Sequence, residues 1–121
     1  MHDENNAPAF VLAKKGYDVW LGNFRGSKYS RKQYNQPAEV NPSRFFRFTW
    51  TDLGSMDVPE MINYVLRKTN KSNLTLIAHS LGTTPIFANL AKQSYLWKTK
   101  LNLFIALAPV TKLDYATSTF I

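Results

Sequence analysis

The apolar run Leu74-Thr75-Leu76-Ile77-Ala78 passes without a spacer into His79-Ser80-Leu81-Gly82, and then into a segment with Ile86, Phe87, Leu90 and Ala91 on one side. A short apolar run of this kind reads as a strand buried on both faces, and the segment after it has the period of an amphipathic helix. A strand that turns straight into a helix leaves few architectures open. The helix must pack back on the sheet and deliver the chain to a parallel neighbour. That neighbour is the run Leu101 to Leu107, closed by Ala108-Pro109.

The upstream half follows the same alternation. Asn6 is placed to cap a short helix with Pro8 in its first turn, Phe10 and Val11 facing inward, Lys14 and Lys15 at its negative end and Gly16 as the stop. Tyr17 to Leu21 then reads as a buried strand. Gly22-Asn23-Phe24-Arg25-Gly26 opens an irregular segment reaching about Trp50 and broken by Pro37 and Pro42. Beyond it, Val58, Met61, Ile62, Val65 and Leu66 fall on one helical face. Asp57 and Glu60 fit a capping box for this helix; alternatively it begins near Asp52 and kinks at Pro59. The order predicts an α/β fold, a parallel sheet of about three strands with flanking helices. With 121 residues, 45% of them hydrophobic, the chain makes one domain over 1–121 with a modest core.

Several classes of chemistry drop out on composition. There is no cysteine, hence no disulfide framework and no thiolate metal site. The only histidines are His2 and His79, so neither a metal site nor a cofactor site is expected. The longest apolar stretch, around Leu101 to Val110, is too short to span a bilayer, and MHDENNAP has no signal-peptide pattern, so the expectation from these residues is a soluble, untargeted chain. Fifteen Lys and Arg against eight Asp and Glu give a net charge of +7. Arg25, Lys28, Arg31, Lys32, Arg44 and Arg47 lie among Tyr29, Tyr34, Phe45, Phe46 and Phe48. That interleaving suits a phosphate-binding face with stacking rings, or a loop whose aromatics anchor the core while its charges stay solvated. The second reading is the one adopted, and no nucleic acid is expected as a partner.

The junction at Ser80 carries the chemistry. In a nucleophile elbow the serine sits in strained backbone geometry between a strand and a helix, and the residues two before and two after it are small, as Ala78 and Gly82 are. Alanine in the first place departs from the strict glycine form by one methyl group. The turn aims the helix N-terminus at a reacting carbonyl, and the backbone N–H of Leu81 is the candidate oxyanion donor. Pro85, which has no N–H, is expected to loosen the start of the helix.

The chain resembles the acid lipase family, the group that includes lysosomal acid lipase and gastric lipase. The resemblance rests on GYDVWLGNFRG (Gly16 to Gly26) followed by Ser30-Arg31, on Met56-Asp57-Val58-Pro59, on AHSLGTT (Ala78 to Thr84) and on ALAPV (Ala106 to Val110). It covers nearly everything from about Pro8 onward. It implies a partial α/β-hydrolase fold, cleavage of carboxylic esters of neutral lipids such as triglycerides and cholesteryl esters, Ser80 as nucleophile, and a lysosomal or secreted location. The family usually has glycine where Ala78 stands and glutamine where Leu81 stands.

A serine hydroxyl needs a histidine to take its proton and a carboxylate to orient that histidine, in the chain order serine, acid, histidine. No histidine follows Ser80. His79 is its immediate neighbour and points elsewhere on an elbow; His2 lies in a polar terminus; Asp114 comes too early to be the family's acid and reads as surface. The first strands, the loop with the second oxyanion donor, the cap and the Asp/His segment are therefore expected to lie outside these residues. The expected function is that of a lipase-type ester hydrolase, inactive as this isolated chain. The alternatives are a lipase-derived protein kept for binding or architecture, and a basic module for anionic lipid or nucleic acid. An incomplete sheet also predicts a protein partner or self-association.

Asn70 and Asn73 begin the sequons Asn-Lys-Ser and Asn-Leu-Thr between a helix and a strand, glycan sites if the protein is secreted. Trp20, Trp50 and Trp97 read as core or rim packing, and Asp18 as a buried hydrogen-bonding residue.

Overall fold

The computed structural model describes residues 5–31, 41–92, 94–112 and 114, with the backbone alone at 94–96. Strands β1 (Leu74–His79) and β2 (Leu101–Leu107) pair in parallel, with Leu76 opposite Phe104 and His79 opposite Leu107. Two helices, α5 (Thr83–Lys92) and α6 (Ser94–Lys100), form the crossover between them. They are numbered after four earlier helices: α1 (Pro8–Lys14), α2 (Pro42–Phe45), α3 (Trp50–Asp52) and α4 (Val58–Thr69). Helix α6 has no counterpart in the sequence analysis.

The core lies on one side of the sheet. Val58 and Ile62 of α4, Ile86 of α5 and Trp97 of α6 are buried together, and Leu74, Leu76 and Ala78 of β1 with Leu101 and Phe104 of β2 pack against them. Among the described residues the opposite side is largely open: Thr75 and His79 are exposed, Ile77, Leu103 and Leu107 are 43%, 54% and 43% exposed, and Ile105 is half-buried. The expectation that β1 is buried on both faces is thus corrected. Its residues alternate between covered and open, as they must when helices lie on one face only.

The segment Tyr17 to Leu21 forms no strand. Tyr17 and Leu21 are 64% and 77% exposed, and Asp18 is exposed as well rather than buried. Apolar residues become a strand only where a ladder partner takes their backbone groups, and among the described residues β1 and β2 pair only with each other. The segment instead lies along α4, with Trp20 edge-on to Tyr64 at 6.0 Å between ring centroids. Helix α1 is followed by the C-cap Lys15 and then Gly16, whose φ of +89° suits a residue without a side chain. Its N-cap is Ala7, not Asn6, and Phe10 is 53% exposed rather than inward.

Helix α4 buries the predicted face, but it starts differently. The backbone N–H and hydroxyl of Thr49 donate to Asp52 Oδ2 at 2.8 and 3.0 Å, capping α3. These bonds to the charged form hold the Asp52 carboxyl below its ordinary pKa. Residues Leu53–Asp57 then widen into a π-helical turn before α4 proper. Pro59 supplies no N–H to the turn before it, so a carbonyl there lacks its usual helical partner. Where a kink at Pro59 was the alternative, the chain forms this π turn ahead of the proline. Asp57 does not form a box with Glu60, because its carboxylate is committed to Arg25.

Gly54, in the π turn, is where α5 comes closest. A Cβ on Gly54 would collide with the backbone carbonyl oxygen of Pro85. Asn89 Nδ2 donates to the Gly54 carbonyl, and Trp97 Nε1 donates to Asn89 Oδ1, so one buried asparagine ties the π turn, α5 and α6 together. Pro85 is third in its helix, where the N–H it lacks is dispensable, and it is fully buried. It anchors the helix start instead of loosening it.

Gly54→Ala tests that contact through its sign. In a solvated helical turn alanine is more favourable than glycine by about 1 kcal/mol; against the Pro85 carbonyl the added methyl is expected to destabilise by roughly 1–3 kcal/mol. Urea unfolding reads the difference, and a raised midpoint in the variant contradicts the packing.

Candidate active site

Strand β1 delivers Ser80 to the end of the sheet. His79 is still extended, with φ −124° and ψ 138°, whereas Ser80 has φ +52° and begins a 3₁₀ turn over Ser80–Gly82 that runs into α5. A side chain in the left-handed region costs roughly 1–2 kcal/mol. The surroundings must therefore hold the serine there.

Two threonines do so. Thr83, fully buried, donates from Oγ1 to the Ser80 carbonyl at 2.7 Å and accepts from the Val110 N–H at 2.9 Å. Thr84 Oγ1 donates to the Val110 carbonyl at 2.7 Å. Both backbone groups of Val110, just past β2, are thus fastened to the first turn of α5, and the elbow is stitched to its neighbouring strand end. Neither threonine was singled out from the sequence. The signal available was the pair Thr83-Thr84 directly after the elbow, whose hydroxyls can reach backbone groups at a helix start.

The flanking small residues have different reasons. Ala78 lies on the covered face of β1, packed against the core. A Cβ on Gly82 would meet only the ring edge of Phe24 at 4.0 Å, ordinary contact, so crowding among the described residues does not demand glycine there. The Leu81 side chain is 63% exposed. Its N–H belongs to the first helical turn, where the helix itself supplies no acceptor.

Phe24 reaches the elbow because its loop is clamped. The Arg25 backbone N–H donates to Asp57 Oδ2 at 2.9 Å, and its guanidinium Nε donates to Oδ1 at 2.6 Å, with a second nitrogen closing an ion pair on the same oxygen. The Gly26 N–H donates to the Ser30 carbonyl at 2.9 Å. Gly26 has φ +84°, and a Cβ there would stand 2.6 Å from Phe48. The motif GNFRG is therefore a brace between the elbow and the start of α4, a role its glycines and arginine did not disclose in sequence.

The basic, aromatic stretch resolves the same way. Phe45 is buried and stands edge-on to Phe46 and Phe48, at 4.9 and 6.4 Å between centroids, so these rings pack on one another. Arg25 is committed to Asp57, while Arg31, Arg44 and Arg47 are exposed. Lys28 stands over the exposed Tyr29 ring at 5.8 Å. Lys32 and Tyr34 lie outside the described residues, as does His2. Trp97 is buried, and Trp20 and Trp50 are partly exposed.

Among the described residues no hydrogen bond joins Ser80 to a histidine or a carboxylate. His79 shares the open face of β1 with Thr75 and Ile77. Asp114 is exposed and pairs with Lys112 at 3.0 Å. No helix among the described residues is long and apolar enough to cross a membrane.

The family model of the alpha/beta hydrolase fold matches residues 7–119. The chain is 38% identical over 114 residues to lysosomal acid lipase/cholesteryl ester hydrolase of Rattus norvegicus, covering 94% of this chain and 28% of that protein. It is 40% identical over 117 residues to gastric triacylglycerol lipase of Mus musculus, covering 96% and 29%. Lipase lipl-1 of Caenorhabditis elegans is 42% identical over 102 residues, covering 84% and 25%. The chain spans little more than a quarter of the length of the curated relatives it matches.

The brace is open to test. Asp57→Ala leaves the Arg25 N–H and guanidinium without their acceptor, and a hydrogen bond to a charged group is worth about 2 kcal/mol. A urea midpoint lowered by about that amount is expected, with Asp57→Asn between the variant and the parent. Equal midpoints for all three proteins contradict the clamp.

Proposed function

This chain belongs to the alpha/beta hydrolase fold family, and from that premise we propose that it supplies the nucleophile part of a lipase-type carboxylic ester hydrolase, with Ser80 as the attacking group. The observation that carries the reading is the left-handed backbone of Ser80 between a parallel strand and a helix. Strain of this kind persists only where the surroundings over-determine it, and it collects at sites of chemistry.

The geometry supports the following roles. Ser80 Oγ attacks the ester carbonyl carbon, and the negative charge that develops on the carbonyl oxygen is met by the Leu81 N–H at the helix start. The departing alcohol takes a proton, and water then releases the acyl group from the serine. The base that moves these protons comes from outside these 121 residues, since the chain's two histidines are the terminal His2 and the outward-facing His79. The names of the relatives support triacylglycerols or cholesteryl esters as the substrates and a lysosomal setting.

The protein expressed from its full reading frame tests the assignment. It is expected to hydrolyse a short-chain chromogenic ester and a triacylglycerol emulsion, with Ser80→Ala lowering turnover by roughly three orders of magnitude or more. An alanine variant as active as its parent removes Ser80 from the mechanism.

A further inference from the structure

The Ser80 carbonyl and the Leu81 N–H belong to one peptide unit. In a trans peptide the two groups lie in one plane and point opposite ways, so whatever fixes the carbonyl also aims the N–H. Thr83 Oγ1 donates to that carbonyl at 2.7 Å. We propose that Thr83 is a positioning residue for the oxyanion donor: its hydroxyl locks the Ser80–Leu81 peptide with the N–H turned away from the helix, toward the carbonyl oxygen of a bound ester. The proposal rests on the reading of Ser80 as the nucleophile.

Three observations carry it. The direction of the bond is fixed, because a hydroxyl has one proton and two acceptor sites. The Val110 N–H, which can only donate, takes an acceptor site at 2.9 Å and leaves the single proton for the Ser80 carbonyl. Thr83 is also fully buried, so solvent does not stand in for a lost bond. Finally, the main chain alone holds the carbonyl loosely: the Thr83 backbone N–H is divided between the Ser80 and Leu81 carbonyls.

The far end of the lock is set by the sheet. His79 and Leu107 are the last pair of the ladder, and the next residue on each strand, Ser80 and Ala108, is left-handed, with φ +52° and +46°. The turn at Ala108 leads to Val110, whose carbonyl Thr84 Oγ1 holds at 2.7 Å. With the peptide turned over, the Ser80 carbonyl oxygen would face the developing negative charge, and stabilisation of the transition state would become repulsion.

The test uses the protein expressed from its full reading frame, as parent, Ser80→Ala, Thr83→Val, Thr83→Ser and Thr84→Val. Valine keeps the shape of threonine and removes both bonds of the hydroxyl; serine restores them. Each protein is assayed with a short-chain chromogenic ester and with the matching thionoester, whose sulfur is a poor hydrogen-bond acceptor and gains little from the N–H. Thr83→Val is expected to lower kcat for the ester by about tenfold to a hundredfold, short of the effect of deleting a donor outright. Its KM is expected to stay near the parent's, and its preference for ester over thionoester to narrow. Thr83→Ser is expected to recover both quantities. Thr84→Val, which breaks a bond to Val110 but none to the Ser80–Leu81 peptide, is expected to keep the parent's preference. One further readout needs no turnover: hydrogen exchange of the Val110 amide, faster in Thr83→Val and slowed again in Thr83→Ser. A Thr83→Val protein too unstable to assay is replaced by Thr83→Cys, whose thiol is a weak donor, and held to the same outcomes. Parental kcat and preference in Thr83→Val, an equal narrowing in Thr84→Val, or a Val110 amide indifferent to residue 83 overturns this proposal alone. Turnover that survives Ser80→Ala overturns the serine reading, and the proposal with it.

Discussion

Ser80 occupies a backbone conformation that an L-amino acid avoids, and the organisation around it follows from keeping it there. The strand before it must end abruptly, the helix after it must begin at once, and the first helical turn must be fastened to something rigid. Thr83 and Thr84 meet the last requirement by holding both backbone groups of Val110 at the end of β2. Because β2 lies in register with β1 from Thr75 to His79, the elbow and its anchor are joined through one ladder. The strain is thus borne by a parallel ladder and three short hydrogen bonds rather than by local sequence alone.

The remainder of the small core is tied by polar links of the same kind. The hydrophobic residues in it are few, and they line one face of a two-stranded sheet. Between helices, Asn89 links the π turn to α5 and α6, and Asp57 links the GNFRG loop to the start of α4. Both are partly or wholly removed from water, where an unpaired polar group is costly and a satisfied one fixes geometry. Gly54 and Pro85 complete the arrangement by letting two backbones approach where a methyl group would not fit.

Elements whose pattern is complete within themselves could be read from the sequence. Helix α4 showed its buried face through Val58, Met61, Ile62, Val65 and Leu66; β1 and β2 showed as apolar runs; the elbow showed as a serine between small residues at a strand-to-helix junction. The misreadings came where structure depends on a distant partner. Tyr17 to Leu21 has strand composition, but a strand is defined by a neighbour's backbone, and no period in the segment reports whether one is present. Asp57 followed by Glu60 matched a capping box until a guanidinium 32 positions earlier took the carboxylate. Pro85 looked like a weakness because its missing N–H is visible in sequence, whereas the carbonyl packed on Gly54 is not. The role of Thr83 and Thr84 is hidden in sequence for the same reason: their partner, Val110, is 26 or 27 positions away.

Among the described residues the proposed site has the Ser80 hydroxyl, the Leu81 amide at the start of the helical turn and no histidine or carboxylate hydrogen-bonded to the serine. A serine in this state is poorly nucleophilic however well it is held, because it reacts through loss of its proton. The direct measurement is ester turnover by the purified 121-residue chain, set against its Ser80→Ala variant with a short-chain chromogenic substrate. Release at the buffer rate from both proteins is the predicted result. Turnover by the parent that vanishes in the variant would place a working base within these residues and contradict the account.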